Sequence, residues 1–136
     1  MSNGNNDWGV PFSQITWFDK LLNNHSNVQS VNRSKDILFE ITRKAQGDTL
    51  KILCLRQYTM GLTMVQRALE EFGDLDIIYI GGGWNASTTD AKQYGIGDNI
   101  GIYVSDEMAG ALWKDDFWNY VKKDRDGNKV RFIREE

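Results

Sequence analysis

A chain of 136 residues that is 40% hydrophobic and 26% charged can bury one core without metal or disulfide support, which excludes wholesale disorder. Its formal charge of −3, from 16 basic and 19 acidic residues, includes no block resembling a nucleic-acid tail, so phosphate affinity must come from a local patch. A single cysteine, Cys54, excludes an internal disulfide and a cysteine-based zinc site.

The opening MSNGNND is polar and lacks the basic-then-apolar pattern of a leader, and no apolar run approaches the roughly 20 residues that span a bilayer. The expectation is a cytoplasmic protein without membrane contact, with residues 1–12 a flexible N-terminal segment and 13–136 a single α/β domain. Pro11 and Ser13 introduce a helix over Ser13–Asn23, whose stripe is Ile15, Phe18, Leu21 and Leu22. A polar turn containing His25, read as a surface imidazole, leads to a short strand, VQSVNR.

DILFEITR, residues 36–43, alternates as a half-exposed strand does, with Ile37, Phe39 and Ile41 on one face and Leu38, Glu40 and Thr42 on the other. KAQGD turns the chain into TLKILCLRQ, where Ile52, Cys54 and Arg56 share a face, and the short link predicts an antiparallel pair. Thr63 and Gln66 have capping-box spacing before a helix that runs to Phe72. LDIIYI is a central strand, and strand, helix, strand suggests a crossover.

Gly81-Gly82-Gly83-Trp84-Asn85 reads as a sharp turn out of the sheet. It has neither GxGxxG spacing nor a phosphate-loop pattern. Ser87 is a candidate cap for a short helix, IGIYV a strand, and Ser105-Asp106-Glu107 the acidic opening of a further helix. Asp126-Gly127 marks a terminal hairpin or turn.

With this order of elements, the chain resembles a degenerate member of the restriction-endonuclease-like PD-(D/E)xK nuclease superfamily, closest to Mrr-type domains, over about Ser13 to Trp113. The resemblance rests on the first helix, Asp36, the tripeptide Cys54-Leu55-Arg56, the helix at Thr63–Phe72 and LDIIYI. It implies a small mixed sheet flanked by helices. It also places Asp36 at the family's acidic position, Cys54 at its second acidic or amide position and Arg56 at its lysine position. A thiol is a poor ligand for hard Mg²⁺, and arginine is too basic to accept a proton readily, whereas its planar donor fork suits phosphate.

Three readings follow. The preferred one is a noncatalytic nuclease-like module that binds DNA, RNA or a partner protein, with Arg43, Lys44, Arg56 and Gln57 as nucleic-acid contacts and no cofactor. An electropositive face around Asp36 and Arg56 is its expected mark. The second is a phosphodiesterase with a migrated site, in which Asp36, Glu40 and Asp48 hold Mg²⁺ or Mn²⁺, and Asp36, Glu40 and Arg56 are catalytic. The third is a structural interaction domain, a homodimer or heteromer joined through Trp113, Phe117 and Trp118. The alternative to that third reading is that most of the five tryptophans pack in the monomer's core, with Trp84 anchoring the glycine turn.

Overall fold

A computed structural model describes residues 3–135. Helix α1 (Phe12–Asn23) starts after Pro11, which sits at the N-cap, and buries Ile15, Phe18 and Leu22 as the stripe predicts. Strands β1 (Val28–Ser34) and β2 (Leu38–Arg43) form an antiparallel pair. Between them Lys35 and Asp36 both take positive φ, 47° and 68°, so Asp36 belongs to the turn rather than to the strand. Strand β3 (Thr49–Cys54) runs back along β2, with Leu38 opposite Leu53 and Ile41 opposite Leu50.

The chain then passes through β4 (Thr59–Met60) and α2 (Leu62–Phe72) to β5 (Ile77–Tyr79), which lies parallel to β3 with Cys54 beside Tyr79. Strand β6 (Ala86–Ser87) pairs with β4, and α3 (Thr89–Gly97) leads to β7 (Gly101–Tyr103), parallel to β5. Helix α4 (Ser105–Ala111), a 3₁₀ turn at Phe117–Asn119 and the small hairpin of β8 (Lys122–Lys123) and β9 (Lys129–Val130) complete the chain.

The main sheet therefore has the order β1-β2-β3-β5-β7, three antiparallel strands continued by two parallel ones. This is a mixed β-sheet flanked by α-helices. Every residue of β5 and β7 is buried, as expected for parallel strands covered on both faces. On the α1 side Phe18 stacks on Tyr79 with centroids 4.1 Å apart and meets Phe39 edge-on at 5.2 Å. Aromatic contacts of this kind tie the first helix to both the antiparallel and the parallel part of the sheet.

Some local expectations need correction. Gly61, not Thr63, is the N-cap of α2, and Thr88, not Ser87, caps α3 by accepting from the Ala91 amide at 3.2 Å. Ser87 is instead consumed in β6. The segment before α1 was expected to be flexible, yet Trp8 and Val10 belong to the core, and Trp8 Nε1 donates to Glu71 at 3.2 Å. Residues 1 and 2 of that segment lie outside the described residues. Among the described residues, no helix is long and apolar enough to cross a membrane.

Candidate functional site

The proposed catalytic and metal-binding groups are not brought together. Asp36 is 3% exposed, and its carboxylate accepts from the Gly4 amide (3.1 and 3.0 Å), from Asn6 Nδ2 (2.7 Å) and from Arg33 Nη1 (3.1 Å). Its cationic partner is therefore Arg33, near the end of β1, not Arg56. Glu40 is exposed in mid-strand, opposite Asn32 and Lys51. Asp48 lies at the far end of β2, beside Arg43. At about 3.3 Å per residue, the seven positions from Asp36 to Arg43 span roughly 20 Å, too far for one ion to bridge. Among the described residues, no group of three His, Cys, Asp or Glu side chains could hold a metal ion.

Cys54, at the second acidic position of the resemblance, is fully buried. Burial, and next the charge of Asp36, raise its thiol well above the ordinary value. It stays a protonated apolar group and supplies neither a thiolate nor a metal ligand.

The four expected nucleic-acid contacts divide between two ends of the β2–β3 hairpin. Arg43 is completely buried, and its guanidinium donates to Asp48 and to the carbonyls of Leu112 (3.3 Å) and Lys114 (2.7 Å). It is a structural cation and has no donor face left for phosphate. Lys44 is exposed beside it, whereas Arg56 and Gln57 follow the other end of β3. The interface trio divides in the same way. Phe117 is a core residue beneath the Arg43 guanidinium, 5.5 Å from it, while Trp118 is half-buried and meets Phe117 edge-on. Trp113 is half exposed and leans on His25 at 5.5 Å. His25 itself is structural: Nδ1 accepts from the Asn27 amide (3.1 Å), so Nε2 carries the proton and donates to the Ala109 carbonyl (2.9 Å).

What the fold does assemble is a cleft of about 410 Å³ beyond the carboxyl ends of β3 and β5, lined by Ser13, Gln14, Trp17, Arg56, Trp84 and Asn85 together with Gly82. Ligand sites of open α/β sheets favour this edge because loops and helix starts converge there. Each wall has a local cause. Helix α1 contributes Gln14, whose Nε2 donates to the Leu55 carbonyl at 3.2 Å, and Trp17, whose ring lies nearly parallel to Tyr79. The loop after β5 turns at Gly81, φ +110°, where an added Cβ would stand 2.6 Å from Asn85 Nδ2. That amide donates to the Ile80 carbonyl at 2.7 Å and closes the loop. The turn throws Trp84 outward, leaving it 84% exposed instead of anchored in the core.

Arg56 is exposed and has no side-chain hydrogen bond, ion pair or ring contact among the described residues. Among the described residues it is also the one ionisable side chain lining the cleft, which gives the cleft a positive group on a chain of net charge −3. The neighbourhood of Asp36 has the opposite character. Its cavity of about 300 Å³ is lined by Asp7, Glu71 and Lys35, with Asp36 already matched by Arg33. The phenol of Tyr79, beneath Trp17, is pushed up to about 12 by burial and bonds Ser105 Oγ at 2.9 Å. It remains neutral and acts as a floor.

Sequence reasoning found Arg56 but missed Gln14, Trp17, Trp84 and Asn85 as its neighbours. The available signal was GGGWN: a tryptophan directly after a flexible turn at a strand's carboxyl end is as readily projected into solvent as folded inward. No protein-family model, curated protein or solved structure matches the chain.

Proposed function

We propose that the chain is a noncatalytic module that binds nucleic acid through the Arg56 cleft, on a restriction-endonuclease-like frame whose two acidic positions, Asp36 and Cys54, have been put to structural use. The observation that carries this reading is the unpaired Arg56 guanidinium, the sole ionisable group among the described residues lining a cleft with two exposed indoles. A planar donor fork of this kind suits phosphate oxygens. The frame is supported by an initial helix, three antiparallel strands, a helix and a parallel continuation. The separation of Asp36, Glu40 and Asp48 and the neutral thiol of Cys54 weigh against metal-dependent hydrolysis.

The test is anisotropy of labelled DNA and RNA oligonucleotides at several salt concentrations, with wild type and Arg56→Ala. Binding should weaken by about two- to fourfold between about 50 and 200 mM salt, as one phosphate contact predicts. Arg56→Ala should weaken it about tenfold and reduce the salt slope by about one. Absent binding at low salt, or binding indifferent to both salt and Arg56, overturns the proposal. A protein partner at the half-exposed Trp113 would then be the reading to pursue.

A further inference from the structure

We infer that the Arg56 cleft takes single-stranded nucleic acid, with Trp17 and Trp84 stacking on bases while Arg56 holds the backbone. This rests on the nucleic-acid reading and adds the class of ligand. A duplex hides its base faces and is held mainly by phosphate contacts, so strong duplex binding requires several cations on one surface. Among the described residues only one cation lines this cleft. A single strand offers unstacked bases, which aromatic side chains bind with little regard to sequence. Here two indoles are presented to the same space, 50% and 84% exposed, from elements as different as α1 and the loop after β5.

The platform is braced. Arg134 donates to the carbonyls of both Tyr58 and Trp84, the second at 2.8 Å, and its guanidinium lies 3.7 Å from the centroid of the exposed Tyr58 ring. It thereby ties the loop after β3 to the loop after β5. Asn85 is oriented by its bond to the Ile80 carbonyl, and its Oδ1 has no partner among the described residues. That leaves an acceptor at the cleft for the exocyclic amine or ring N–H of a stacked base.

The test compares three labelled probes on the full chain: oligo(dT) of about 12 nucleotides, an abasic deoxyribose-phosphate strand of equal length, and a duplex of the same length. Oligo(dT) should bind about tenfold more tightly than either of the others. Trp84→Ala should abolish that preference without changing the melting temperature, Trp84→Phe should largely restore it, and Arg56→Ala should weaken all three probes alike. If the abasic strand or duplex binds as well as oligo(dT), and Trp84→Ala changes nothing, stacking is overturned while binding through Arg56 still stands. If no probe binds, both fall together.

Discussion

Arg43 and Asp48 form a two-point ion pair across the β2–β3 turn, Nε to Oδ1 at 2.8 Å and Nη2 to Oδ2 at 2.7 Å, with the arginine wholly buried and the aspartate's outer side in water. The Arg43 hydrogen bond holds the Asp48 carboxyl below its ordinary 3.8. A depressed acid binds its proton less tightly when folded, so its stabilisation is present above 3.8 and lost as pH falls through the folded value. Asp48→Asn should therefore flatten the acid limb of a urea-midpoint-against-pH profile. At neutral pH it should cost about 1–2 kcal/mol, less than an entirely enclosed pair would lose, because water can still reach Asp48.

The loop after β5 depends on Gly81 more than on its neighbours. Gly81→Ala places a Cβ at positive φ and against Asn85 Nδ2, so the Asn85 bond to Ile80 must shift. The expected loss is about 1–3 kcal/mol. Gly82→Ala meets nothing within 4 Å and should stay within about 0.5 kcal/mol of wild type. Equal thermal melting of the two variants would refute this account of how Trp84 is projected.

Element identities were legible because hydrophobic period and turn chemistry act locally: the α1 stripe, the DILFEITR alternation and the Gly-containing links each point to what the chain forms. Caps were less so, since Thr63 and Ser87 each had a neighbour that could start the helix instead, and β6 claimed Ser87. The site failed for a longer-range reason. Pairing Asp36 with Arg56 assumed that the acid stays in strand register, whereas positive φ at Lys35 and Asp36 turns it toward Gly4, Asn6 and Arg33. Arg43 and Arg56 look alike in sequence, two cations at the ends of apolar strands. Only tertiary packing decides that one is locked beneath Leu112 and Lys114 while the other is left open.

A buried acid and a half-buried base beside β7 should titrate reciprocally. Glu107 accepts from the Val104 amide at 3.0 Å at the start of α4, and burial raises its carboxyl above 4.5 despite the opposing charge of Lys92. Lys92 donates to the Ile102 carbonyl, lies 4.2 Å from the Tyr103 ring centroid, and is lowered by burial. Carboxyl-carbon and lysine-side-chain NMR titrations should find Glu107 moving further up in Lys92→Met and Lys92 moving further down in Glu107→Gln. Because the folded acid holds its proton more tightly, the Glu107 contribution to stability should decline as pH rises from 4.5 through its folded value. Unchanged midpoints in both variants would show that the two groups do not sense each other.

Cys54 offers the sharpest test of whether a nuclease site can be rebuilt at the positions suggested by the resemblance. Its backbone amide bonds the Ile37 carbonyl at 2.9 Å, its neighbour in register is Tyr79, and its side chain is sealed from water. Cys54→Asp would put a second carboxyl within reach of the Asp36 field, with no cation beside it and no solvent. The new group should take up a proton or unfold the strand, at a cost of about 3 kcal/mol or more in urea denaturation, and plasmid nicking in Mg²⁺ or Mn²⁺ should not appear. The wild-type thiol, raised by the same burial, should resist a thiol-specific reagent until the chain unfolds. A stable Cys54→Asp protein that nicks DNA with metal, and loses that activity in Asp36→Ala, would mean that the two positions converge on an ion after all, and the account of Asp36 as a purely structural carboxylate would fall.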